Sequence, residues 1–248
     1  MPKPVQKLTF PTSEIQTMSA HFIADFLAQQ LRKHSVFLLL SGGSAIKVYK
    51  QAFEKLSQSI ADLNHPLTVS LFDERYVPKD SANSNETQLR KVGVIDLIEQ
   101  LGGSWVSYLS DQNLNGQETA QETNRWFSEM LARKKTFLLI LAGIGGDGHT
   151  AGILPTQDSA TIEKVHHSDK LIEYYELPED TDNPYRQRLT ATPKLIEQAD
   201  QVIVYAVGDD KKAALTDFKA NQKPLNERPS LALHRSKSPV ILLTDQKL

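Results

Sequence analysis

The chain has 248 residues, 40% of them hydrophobic, and 28 Lys+Arg against 30 Asp+Glu leave a formal charge of −2 with histidine neutral. That length suits one large domain, taking about 150 residues per domain as a soft guide, and the charge balance argues against a general nucleic-acid binder, which needs a basic face to displace counterions. Cysteine is absent, which excludes a disulfide framework, a thiolate nucleophile, Cys-ligated zinc and iron–sulfur clusters.

From the amino terminus, Met1-Pro2-Lys3-Pro4-Val5-Gln6-Lys7 starts basic but leads into a polar stretch, not the apolar run of a secretory signal. Met18, Phe22 and Phe26, with Ile23, Leu27 and Leu31, then recur at helical spacing. Val36–Leu40 reads as the first strand, and a second helical stripe follows at Ile46, Tyr49, Phe53 and Leu56. Further strands are predicted at Leu67–Phe72, Thr136–Ala142, Gln201–Val207 and Pro239–Thr244, with a helix marked by Trp126, Met130 and Leu131 before the second of these. Residues 163–188 read as an extra strand around Lys170–Glu176 and an acidic surface loop from Pro178 to Pro184. No run approaches the roughly 20 apolar residues of a membrane-spanning helix.

Apolar runs without polar alternation are what strands covered on both faces look like. Strands of that kind alternating with helices predict an open, doubly wound α/β domain, its sheet mostly parallel with helices on both faces. No repeat and no domain boundary is visible, so residues 1–248 are expected to form a single domain.

In such sheets ligands bind beyond the carboxyl ends of the strands, and three ends are unusual. Ser41-Gly42-Gly43-Ser44 follows the first strand; its glycines could let backbone N–H groups face an anion at the start of the next helix, or could form a tight turn with Ser44 as the helix N-cap. Asp73-Glu74-Arg75-Tyr76-Val77-Pro78 ends the second. Charges there are costly to desolvate unless paired or set in a cleft, the alternative being an exposed charged turn; Ser84-Asn85 stands shortly after. After Ala142 comes Gly143-Ile144-Gly145-Gly146-Asp147-Gly148-His149-Thr150-Ala151-Gly152, with five glycines in ten residues. Asp147 could orient the imidazole of His149 and raise its basicity, making a general base near neutral pH. No second ligand at metal spacing accompanies His149, and no metal site is expected. Two later segments supply cations. Arg186 and Arg188 flank Gln187, where strand alternation would send both to one face, and Lys211-Lys212 follows Gly208-Asp209-Asp210 at a helix start. Lysine in a first turn opposes the helix dipole; either the two aspartates offset it or a bound anion uses it.

In this order and spacing, Leu40–Ser44, Phe72–Pro78 with Ser84-Asn85, Gly143–Ala151, Arg188-Leu189-Thr190 and Gly208–Lys211 resemble the 6-phosphogluconolactonase family, within the larger group that also holds glucosamine-6-phosphate deaminase. The resemblance implies a Rossmann-like three-layer sandwich and hydrolysis of 6-phosphoglucono-δ-lactone to 6-phosphogluconate, a step of the oxidative pentose phosphate pathway, with no cofactor. It gives His149 the role of the base that activates water, with Asp147 beside it. Arg75 would hold substrate or the developing oxyanion, Arg188 and Lys211 would grip the phosphate, and Ser41, Gly42, Gly43, Ser44, Asp73 and Gly146 would line the substrate site. Two departures stand out: Ala45-Ile46 replaces the family's usual Thr-Pro, and Gly146 stands where lactonases commonly carry proline.

The deaminases of the group carry a glutamate five residues beyond the loop histidine, where this chain has Leu154, and tend to have tyrosine where it has Arg75; both differences favour the lactonase. A sugar-phosphate sensor would need a DNA-reading module, and fewer than forty residues precede Val36, with no evident basic recognition helix. The expected partner is a phosphorylated sugar lactone, with no nucleic acid and no membrane, in a cytoplasmic monomer or small homo-oligomer.

Overall fold

The structure, a computed structural model, describes residues 4–60, 63–109, 115–179, 181 and 183–248. Met1–Lys3 of the amino-terminal segment, and Asp180 and Asp182 of the acidic loop, lie outside the described residues.

Seven parallel strands form the main sheet, in the order β1 (Gln6–Thr9), β10 (Ile241–Thr244), β9 (Gln201–Tyr205), β6 (Thr136–Gly143), β2 (Ser35–Leu40), β3 (Leu67–Leu71) and β5 (Ser104–Trp105). The central strands carry the continuous apolar runs. Val36–Leu40 and Leu138–Ala142 are buried throughout, paired in register from Ser35 with Thr136 to Leu40 with Leu141.

The chain leaves β1 through α1 (Ile15–Leu31), β2 through α2 (Ile46–Ser59) and β3 through α3 (Asn85–Lys91) and α4 (Val94–Gln100), moving each time towards the β5 edge. After α5 (Gly116–Ala132) it returns to β6 on the other side of β2 and progresses towards β1, by way of α7 (Pro193–Ile196) and α8 (Lys212–Ala220). Right-handed crossovers therefore put α1, α2 and α4 on one face and α5, α7 and α8 on the other. The packing of α1 on α2 and α2 on α4 agrees.

A second sheet of three antiparallel strands, β4 (Asp73–Arg75), β8 (Gln187–Ala191) and β7 (Ile172–Glu176), packs with α5 beyond the carboxyl end of β3; a short turn, α6 (Ser159–Thr161), precedes β7. This corrects the reading of Asp73-Glu74-Arg75 as a strand end or charged turn: the chain changes sheets at Phe72, whose carbonyl accepts from Ala191 N–H, and starts a new strand at once. The sheet also begins earlier than Val36, with β1. In α1 the packed face is Ile23, Leu27 and Leu31 with the small residues Ser19, Ala20, Ala24 and Ala28, whereas Met18 is exposed and Phe22 and Phe26 are only half-buried.

Candidate functional site

The strand order reverses direction between β2 and β6, and the loops leaving those two strands splay apart there, the place where open α/β sheets form a ligand crevice. A cleft of about 340 Å³ occupies it, lined by Ser41, Gly42, Gly43 and Ser44 after β2, by Gly143, Ile144, Gly145, His149 and Ala151 after β6, by Tyr205, Ala206 and Lys211 after β9, and by Asp73, Arg75 and Asn85 from the second sheet and α3. That volume falls in the range of small-molecule sites, about 300–1,000 Å³.

The glycine-rich loop folds back on itself. Gly145 N–H donates to the His149 carbonyl at 2.9 Å, Gly148 N–H to the Gly145 carbonyl at 2.9 Å, and Thr150 Oγ1 to the Gly143 carbonyl at 2.9 Å. The turn brings Asp147 Oδ1 to 2.6 Å from His149 Nδ1 and 3.0 Å from its backbone N–H. Partial burial pushes the Asp147 carboxyl up, but the bonds and charge of His149 outweigh it and hold it down at about 2. An ionised carboxylate can only accept, so Nδ1 carries the proton in this pairing, and whenever the ring is neutral its lone pair lies on Nε2. Gly145 is required for this approach, because a Cβ there would stand 2.1 Å from His149 Nδ1 and 2.6 Å from Asp147 Oδ1.

Around the dyad the charges interlock. Asp73 is buried, which raises its carboxyl; Arg188, His149 and Arg75 pull it back down, with Asn85 Nδ2 bonded to its carbonyl at 2.9 Å. Glu74 is fully buried and pushed up to about 7 by that burial, against four donors: Glu86 N–H, Asn85 N–H, the Ser84 hydroxyl and Arg75 N–H, at 2.7 to 3.0 Å. Glu74 thus ties the start of α3 to β4 and sets Asn85 in the cleft wall, against Gly42. A Cβ on Gly42 would lie 2.4 Å from Asn85 Oδ1. Arg75 Nη1 donates to the Asn83 carbonyl at 2.9 Å, and the guanidinium lies 3.9 Å above the Tyr185 ring centroid. Lys211 Nζ pairs with Asp210 Oδ2 at 2.9 Å and still reaches the cleft, so offset by aspartate and availability to an anion coexist.

Of the residues expected from the sequence, Ser41, Gly42, Gly43, Ser44, Asp73, Arg75, His149 and Lys211 converge on the cleft, while Asp147 stands behind His149. Gly146 does not line it. The glycine lets the loop pass the turn carrying Lys211, since a Cβ there would stand 2.9 Å from the Asp210 carbonyl oxygen. Arg188 also lies outside the lining, one strand deeper and in register with Arg75; its Nε donates to the Tyr185 carbonyl at 2.7 Å and its Nη2 to Asn183 Oδ1 at 3.1 Å. Arg186 does not join it, because β8 starts one residue later and the Arg186 guanidinium holds the Leu177 carbonyl. Nor is Ser44 the N-cap of α2: a single 3-10 turn, Gly43–Ala45, intervenes, with Gly43 at φ 75°. Sequence reading missed Asn85 as a wall residue, Tyr205 and Ala206. Among the described residues no three His, Cys, Asp or Glu side chains stand close enough to share a metal ion, and no helix is long and apolar enough to cross a membrane.

A family model for glucosamine-6-phosphate isomerases and 6-phosphogluconolactonase matches residues 11–242. A probable 6-phosphogluconolactonase of Schizosaccharomyces pombe is 28% identical over 210 residues, covering 78% of this chain and 75% of that protein. A 6-phosphogluconolactonase of Synechocystis is 26% identical, covering 85% and 82%. Among solved structures, a 6-phosphogluconolactonase from Shewanella baltica superposes with a TM-score of 0.75 at 20% identity, over 98% of this chain and 99% of that one. The Trypanosoma brucei enzyme of the same name gives 0.72 at 24%, over 98% and 97%. These structures share the α/β fold, and the family model, which matches residues 11–242, shows that the chain belongs to the glucosamine-6-phosphate isomerase/6-phosphogluconolactonase family.

Proposed function

We propose that the protein is a 6-phosphogluconolactonase of the cytoplasm, and that His149 is its base. The observation that carries this reading is the His149–Asp147 pair, 2.6 Å apart, at a cleft that Lys211 and Arg75 also line. Water held at Nε2 loses its proton to the imidazole as its oxygen bonds to the lactone carbonyl carbon. Asp147 stabilises the imidazolium that forms. The oxyanion meets Arg75 or the loop N–H groups. Collapse breaks the bond from the carbonyl carbon to the ring oxygen, which takes the proton back from His149 and leaves as the C5 hydroxyl, giving the open-chain acid. Lys211 anchors the phosphate, so that a remote group orients the reacting one, and the charge of Arg188 acts on the site through Asp73. Asp73 takes sugar hydroxyls.

Leu154 favours hydrolysis over isomerisation. At the position where the related deaminases carry a glutamate, this leucine packs on the apolar cluster of Ile153, Val165, Tyr175 and Leu177 and offers no base for a carbon-bound proton. The test is consumption of 6-phosphogluconolactone above the uncatalysed rate, run beside ammonia release from glucosamine 6-phosphate. We expect acceleration on the lactone alone, falling at least about 100-fold in His149→Ala. Ammonia release would favour the isomerase, and near wild-type acceleration in His149→Ala would remove the base assignment.

A further inference from the structure

The glycine-rich loop is held from outside at two places: at Gly152, whose N–H donates to Thr190 Oγ1 at 3.0 Å and whose carbonyl accepts from the Tyr175 hydroxyl, and at the Asp147–Gly148 turn, where the side-chain support is one arginine from a distant part of the sequence. Arg228 lays its Cδ over Gly148, so closely that a Cβ on that glycine, which sits at φ 89°, would stand 2.4 Å away. Its Nη1 donates to the Asp147 carbonyl at 3.0 Å, and its Nε to Asp217 Oδ2 at 2.6 Å. Two residues on, Ser230 N–H donates to the Gly148 carbonyl at 2.9 Å. Asp217 sits in α8, and its Oδ2 also takes Lys223 Nζ at 3.1 Å. Helix α8 is the helix whose entry turn carries Lys211.

We propose that Arg228 is a positioning residue: by tying the Asp147–His149 loop to α8 it fixes the separation between the base and the lysine that anchors the phosphate. The inference rests on the lactonase reading above. Neither end of the tie touches the cleft, so its work is registration and not contact with substrate. A substrate that spans both anchors depends on that registration; one without a phosphate does not.

The experiment compares wild type with Arg228→Met, Arg228→Lys and Asp217→Asn on 6-phosphogluconolactone and on unphosphorylated glucono-δ-lactone, with amide hydrogen exchange followed over residues 143–152. A displacement of about 1 Å at a reacting group costs on the order of 100-fold. Arg228→Met is therefore expected to lose about 10- to 100-fold in kcat on the phosphorylated lactone, with KM changed less than about threefold, and clearly less on the unphosphorylated one. Its loop amides exchange faster. Arg228→Lys, which can still pair with Asp217, recovers part of the loss, and Asp217→Asn shifts kcat and exchange in the same direction as Arg228→Met, so either serves if the methionine variant does not fold. Equal losses on both lactones, or kcat within twofold of wild type, would overturn the proposal. A wild-type protein inactive on the phosphorylated lactone would instead overturn the reaction. Loop exchange then decides the tie by itself: faster in the variants supports it, unchanged removes it.

Discussion

Gly145 does for the dyad what no other residue could. With His149 Nδ1 at 2.1 Å from the place of a Cβ, Gly145→Ala must push the imidazole off Asp147 while leaving the buried strands untouched. We expect a fall in kcat on the order of 100-fold with a melting temperature near that of wild type; an alanine variant of normal activity would mean that the pairing is not used in the reaction. Asp147 and His149 were legible in the sequence because they stand two residues apart, so chain proximity already implies contact. The Gly42–Asn85 contact, the Arg75–Tyr185 stack and the Arg228 tie join residues from separate segments. Nothing in the local pattern marks Arg228, one of 28 basic residues, as different from its solvated neighbours. Arg188 shows the converse: the sequence marked it as a cation for the phosphate, but it stands outside the cleft lining, with its donors on the Tyr185 carbonyl and Asn183, partners that no local pattern announces.

At the scale of elements, the apolar strands β2, β3, β6 and β9 announce themselves because both faces are covered. Strand β1 is a half-exposed edge, Gln6-Lys7-Leu8-Thr9, and β5 spans only Ser104-Trp105, so neither carries an apolar run. Strand β4 was illegible for a different reason: charged residues make poor strand signals, and only the donors gathered on Glu74 make its burial tolerable. One element outside the cleft has its own titration. The single wide turn Ile162–His166 buries the His166 ring, and that burial, with the positive charge of His167 and Arg235 added, holds its pKa down at about 4. The folded state therefore binds this proton less readily than the unfolded chain, whose ordinary histidine titrates near 6.5. Stability from this residue is complete above about pH 6.5 and is lost as pH falls through 4. Urea unfolding at pH 7 and pH 4.5 should show a loss of about 2 kcal/mol in wild type that is absent in His166→Phe; equal losses in the two would assign the acid sensitivity elsewhere.

For the whole molecule the question is whether the two sheets are one cooperative unit. Ile172, Leu189 and Ala191 of the small sheet belong to the same buried cluster as Leu38, Ile140 and Val202 of the large one. Trp105 and Trp126 both pack on that cluster. Tryptophan emission and far-ultraviolet dichroism should accordingly report one coincident urea transition; two separated midpoints would show that the small sheet melts by itself and that the cleft wall from Asp73 to Asn85 detaches before the fold does.

The β1–β10 pairing sets a clock on assembly. Among the described residues, Gln6 to Thr9 find their sheet neighbours in Ile241 to Thr244 alone, so β1, synthesised ahead of the other described strands, can be seated only after β10 has emerged. Until that late partner emerges, β1 waits as an unsatisfied ribbon of donors and acceptors. A messenger that stalls shortly before Ile241 would yield a product with its central strands able to assemble and its first strand unseated, recognisable to proteases and chaperones by that ribbon.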